Sequence, residues 1–68
     1  MIYKIYVYGY RGYELLETVY NVEDVGLVLD QLNGELYYLY IVIEHNIKEN
    51  SDTPIMTGYL DYNVDKRK

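Results

Sequence analysis

Two runs of β-branched and aromatic residues, Ile2 to Tyr10 and Tyr13 to Tyr20, are separated only by Arg11 and Gly12, and no other feature constrains the fold of this chain so tightly. Residues of these types fit a pleated, half-buried surface. A two-residue connection ending in glycine predicts a tight hairpin, because glycine accepts the positive φ such turns need. With Arg11 and Gly12 as the loop, Tyr10 opposes Tyr13, Tyr8 opposes Leu15, Tyr6 opposes Glu17 and Lys4 opposes Val19. One face of the hairpin is then rich in tyrosine. The other carries Tyr3, Ile5, Val7 and Gly9 with Leu16, Thr18 and Tyr20.

The period changes from two to 3.6 in the next segment. Asn21 has the chemistry of an N-cap, Asp24 stands where a capping-box acid stands, and Tyr20 and Val25 have the spacing of a hydrophobic staple. Val22, Val25, Val28, Leu29 and Leu32 fall on one helical stripe, with Gly34 as the residue that ends the helix. Glu23, Asp24 and Asp30 lie away from that stripe. Leu27 falls among them, either as an ordinary surface leucine or as part of a contact. Gly26 costs about 1 kcal/mol of helix propensity against alanine, which predicts close packing of the helix on the sheet at that point.

The run from Glu35 to His45 is the strongest strand signal in the chain. Its odd positions Tyr37, Leu39, Ile41 and Ile43 are more aliphatic, and Leu36, Tyr38, Tyr40 and Val42 occupy the even ones. This repeats the split of the first strand and puts Tyr38 and Tyr40 on the tyrosine face. Asn46 to Pro54 is polar, ends in the only proline, and reads as the loop of a second hairpin. Ile55 to Val64 closes the domain, with Met56, Leu60 and Tyr62 facing one way and Ile55, Thr57 and Tyr59 the other. The expected fold is α+β, a ββαββ chain forming a four-stranded antiparallel sheet in the order 2-1-3-4 with one helix on one face. Residues 1–64 form the domain and 65–68 a flexible basic tail.

At 68 residues without a cysteine, the chain is near the lower limit for a self-sufficient core and has no disulfide or thiolate metal site to reinforce it. Oligomerisation is the remaining common support. Residues 1–64 hold ten acids against Lys4, Arg11 and Lys48, so the body is strongly acidic and repels a polyanion. No apolar run is long enough to span a membrane and no leader pattern is present, so a cytoplasmic protein is expected. Abundant Tyr, Ile, Asn and Lys with no alanine fits an AT-rich genome, as in low-GC bacteria and their phages.

No motif fixes a chemistry. Ile5-Tyr6-Val7 and Arg11-Gly12-Tyr13 resemble the starts of the two RNA-recognition-motif signatures, but Glu14 and Leu15 depart from the longer one. Both also share one hairpin here, whereas a helix separates them in that family. The single histidine, His45, and the single serine, Ser51, stand without an acid pattern that would orient a base, so no catalytic residue is expected. Asp61-x-Asn63-x-Asp65 begins like a calcium loop but has Lys66 where the loop needs glycine, so no metal site is expected. Gly9 and Gly12 precede no helix and form no phosphate loop, and no cofactor is expected.

What remains is a tyrosine face, Tyr6, Tyr8, Tyr10, Tyr13, Tyr38 and Tyr40, supported by Leu15, Val19 and Val42. It exceeds the few hundred Å² of apolar patch that a monomer usually exposes, and predicts a homodimer or a protein partner. The acidic helix residues Glu23, Asp24 and Asp30, with Leu27, form a second candidate contact surface. In these respects the chain resembles, as a class, the small acidic phage-encoded inhibitors of host or defence proteins. That resemblance implies a non-enzymatic, stoichiometric inhibitor in a bacterial host cytoplasm, with a protein target, no direct nucleic-acid contact and no membrane. The alternatives are a nucleotide-binding sponge, with tyrosines on a base and Arg11 or Lys4 on phosphate, and an antitoxin-like regulator that neutralises a basic partner.

Overall fold

A computed structural model describes residues 1–32 and 37–60. They form β1 (Ile2–Gly9), β2 (Gly12–Val19), α1 (Val22–Asp30), β3 (Tyr37–Asn46) and β4 (Ser51–Tyr59). The strands make one open antiparallel sheet in the order β2-β1-β3-β4, the α+β fold and strand order that the sequence predicts. The helix stop at Gly34, Leu36, the last part of the fourth strand and the basic tail lie outside the described residues.

The first hairpin turns one residue earlier than expected. Gly9 pairs with Gly12, Tyr8 with Tyr13 and Tyr6 with Leu15, so Tyr10 and Arg11 form the loop. Gly12 has φ 94° and neither loop residue has positive φ, which is a type I turn followed by a left-handed glycine. Three pairings beyond Gly9–Gly12 the register slips. Ile5 pairs with Glu17 while Tyr6 pairs with Leu15, and Leu16 is the extra residue of a β-bulge. Lys4 therefore opposes Thr18 and Tyr3 opposes Val19.

Strand β3 enters with the opposite parity to the one its composition suggests. Ile5 opposes Val42 and Val7 opposes Tyr40, whereas Tyr6 opposes Ile41 and Tyr8 opposes Leu39. Even residues of β3 thus share a side with odd residues of β1. Tyr40, Val42 and Val19 leave the tyrosine face and join the side that α1 covers. A bulge between the Tyr8 and Gly9 pairings leaves Tyr38 without a partner, and its ring reaches Tyr8 at a centroid distance of 6.0 Å. Tyr38 and Tyr40, two residues apart, are thereby divided between the two sides.

The second hairpin is also tighter than the sequence suggests, because β4 starts at Ser51 and only residues 47–50 form its loop. The Asn46 side chain organises it: Oδ1 accepts from the backbone N–H of Lys48 at 3.0 Å and of Glu49 at 3.2 Å, and Asn50 takes the left-handed φ of 51°. Pro54 lies inside β4, where an edge strand tolerates the missing N–H. Ile55 is its bulge residue, since Ile43 pairs with Pro54 and Val42 with Met56.

The core is small. Ile5, Val7, Val19, Val25 and Val42 are buried, and Tyr3, Val28, Leu29 and Tyr40 pack against the cluster of Ile5, Val19, Val25 and Val42. Val25 anchors α1, but Val22 at the head of the predicted stripe is exposed. Asn21 caps with its backbone, not its side chain: its carbonyl accepts from the Asp24 N–H at 3.1 Å, while its amide donates to Asp24 Oδ2 at 3.5 Å. Tyr20 is 70% exposed, so no buried staple forms. Gly26 does not approach the sheet either, because a Cβ there would meet nothing within 4 Å.

Candidate protein-binding face

With one short helix placed over β1 and β2, the other side of the sheet has no element above it among the described residues. The register arranges its side chains in four rows. Tyr13, Tyr8, Leu39 and Tyr59 form the first, and Leu15, Tyr6, Ile41 and Thr57 the second. Thr18, Lys4, Ile43 and Pro54 follow, and Ile2, His45 and Asp52 make the last. The inner strands are shielded only by their neighbours, which leaves Tyr6, Leu39, Ile41 and Ile43 half-buried and Tyr8 37% exposed. Tyr8 stacks obliquely on Tyr13 at 4.7 Å between centroids, and with Tyr38 the three rings form a continuous aromatic cluster at one end.

The expected tyrosine set is therefore partly regrouped. Tyr6, Tyr8, Tyr13 and Tyr38 lie on this face, Tyr10 is exposed in the hairpin turn, and Tyr40 lies on the helix side. Tyr40 has a specific seat there. A Cβ on Gly58, its cross-strand partner, would come within 2.6 Å of the Tyr40 hydroxyl oxygen and 2.7 Å of two ring carbons, so the ring lies across the glycine backbone. Leu39, Ile41, Ile43 and Tyr59 replace it on the uncovered face. Only the pairing of β1 with β3 would have revealed these residues, because each strand read alone leaves its parity open.

Charge is segregated between the two sides. Glu14 opposes Val7, Glu17 opposes Ile5 and Glu44 opposes Tyr3, so all three acids are on the helix side. Glu23, Asp24 and Asp30 ride on α1 with the exposed Leu27, as expected. On the uncovered face Asp52 is the sole acid among the described residues, and its Oδ1 lies 2.6 Å from His45 Nδ1. Nothing local in the sequence marks this His–Asp pair, since its members are brought together by β3–β4 pairing across seven residues. Ser51 opposes Asn46 and has no hydrogen bond to the pair among the described residues.

A groove at the tip of the first hairpin, about 250 Å³, is lined by Gly9, Tyr10, Arg11, Glu14 and Tyr37. Lys4, the other candidate for a phosphate contact, lies on the uncovered face beside Ile43, away from this groove. Among the described residues no group of His, Cys, Asp and Glu is placed to hold a metal ion, and no helix is long and apolar enough to cross a membrane. Comparison of the chain with protein families, with curated proteins and with solved structures finds no match.

Proposed function

We propose that this protein acts by stoichiometric binding to other protein molecules and not by catalysis, as a small acidic inhibitor, and that the uncovered sheet face is a protein-binding surface. The observation that carries this is the face itself: two rows of tyrosine, leucine and isoleucine on the inner strands with no element above them among the described residues. Tyrosine and branched aliphatic residues bury apolar area at low entropic cost, and tyrosine keeps a hydroxyl for directional contacts. A nucleic acid is disfavoured as the occupant, because Lys4 is the one lysine or arginine of the four rows and the helix side is acidic.

Immobilised protein is expected to retain protein molecules on this face, either further copies of the chain or a protein from a bacterial lysate. Tyr8→Glu and Ile41→Glu, at the centre of the face, should abolish retention while circular dichroism keeps its shape. Undiminished retention by both folded variants would remove the face from the function.

Nucleotide binding is the alternative, favoured by one observation: Tyr10, Arg11 and Tyr37 line the same groove. At about 250 Å³ it falls below the ~300–1,000 Å³ of ordinary small-molecule sites, and Glu14 shares its lining with Arg11, adding a carboxylate that repels phosphate. A thermal-shift screen with linear and cyclic nucleotides separates the two functions. Stabilisation that Arg11→Ala removes would favour nucleotide binding.

A further inference from the structure

We infer that the occupant of the uncovered face is a second copy of this chain, stacked face to face about a two-fold axis. The inference rests on the face being a protein-binding surface and names what covers it. Three features favour a copy stacked on the face over the other ways two chains could meet.

The edges of the sheet are closed to strand addition. β2 carries the Leu16 bulge, and β4 carries both the Ile55 bulge and Pro54, so each edge strand is irregular where a neighbour would pair. Bulges and proline are the devices that block edge-to-edge pairing. Extension into a wider sheet is thus disfavoured, and stacking is the mode left to an open sheet.

Charge points the same way. The chain carries a formal net charge of -5, so two copies repel each other over most orientations. On the uncovered face, however, the charged groups among the described residues are Lys4 and Asp52, the latter beside His45. Face-to-face contact turns the acids of the helix side away from each other. It is the approach that brings the fewest like charges together.

The third feature is the small core. A stacked pair gives each sheet the second apolar layer that five buried aliphatic residues on the helix side do not supply.

Light scattering on the unmutated protein at micromolar concentration should give the mass of two chains, changing little with salt because the interface is nearly free of charge. Tyr8→Glu should raise the dissociation constant by about 30-fold or more, and Glu23→Lys on α1 should leave it unchanged. Thr57→Arg, on the exposed edge strand of the same face, serves if Tyr8→Glu does not fold. A mass of one chain for the unmutated protein overturns the inference. So does a dimer that survives both Tyr8→Glu and Thr57→Arg, or one that tightens steeply with salt, which would place the acidic sides in contact. A monomer that still retains a lysate protein through Tyr8 would sink the self-association alone and leave the protein-binding face standing.

Discussion

Two glycines of this small protein have opposite relations to their surroundings, and substitution should separate them cleanly. Gly26 is exposed in the middle of α1, has no positive φ, and leaves open space where a Cβ would go. Gly26→Ala should stabilise the fold by about 0.5–1 kcal/mol through helix propensity and a less flexible unfolded chain, seen as a higher urea midpoint at unchanged slope. Gly58 instead lies under the Tyr40 ring, where a Cβ would fall well inside contact distance. Gly58→Ala should displace that ring and cost about 1–3 kcal/mol, with the Tyr40 resonances shifting in an NMR spectrum. If Gly58→Ala leaves both stability and those resonances alone, Tyr40 has another place to go. Neither relation was visible in the sequence, where Gly26 looked like a packing glycine and Gly58 carried no signal.

The existence and order of the elements were legible because each has a strong local signature: β-branched and aromatic runs, a glycine turn, a helical stripe. Their registers were not. Three bulges, at Leu16, Tyr38 and Ile55, each insert a residue that no composition rule marks, and a helix lies between β2 and β3, so nothing local couples the parity of β3 to that of β1. That is why Tyr40 and Val42 lie on the side opposite to the one their composition suggests. The turns make sharper predictions. Asn46→Ala removes the acceptor for two backbone N–H groups and should loosen the β3–β4 hairpin by about 1 kcal/mol, read as faster amide exchange at Lys48 and Glu49. On α1 the acids meet solvent, where they can select a basic partner. Reversing Glu23, Asp24 and Asp30 to Lys together should abolish inhibition of such a partner while the chain stays folded and its oligomeric state persists. In the unmutated protein the association rate should fall as salt shortens the Debye length from about 10 Å to 3 Å. Full inhibition by the triple variant would take α1 out of the working surface.

Taken whole, the molecule is a thin slab, acidic on one side and apolar on the other, and the way its edges are built decides how far it can assemble. A sheet with an apolar face and a regular, unpaired rim has two directions of growth, and growth in both leads to layered fibrils. Here the Leu16 and Ile55 bulges and Pro54 interrupt the rim, so in the proposed dimer stacking is the one direction left and it is exhausted after a single step. Pro54→Val gives β4 back a backbone N–H and a residue that favours extended pairing, and after prolonged incubation it should bring a rise in thioflavin fluorescence that the parent lacks. On that proposal, the proline that ends the polar stretch of the sequence is a stop signal for polymerisation, keeping a sticky chain at a finite copy number.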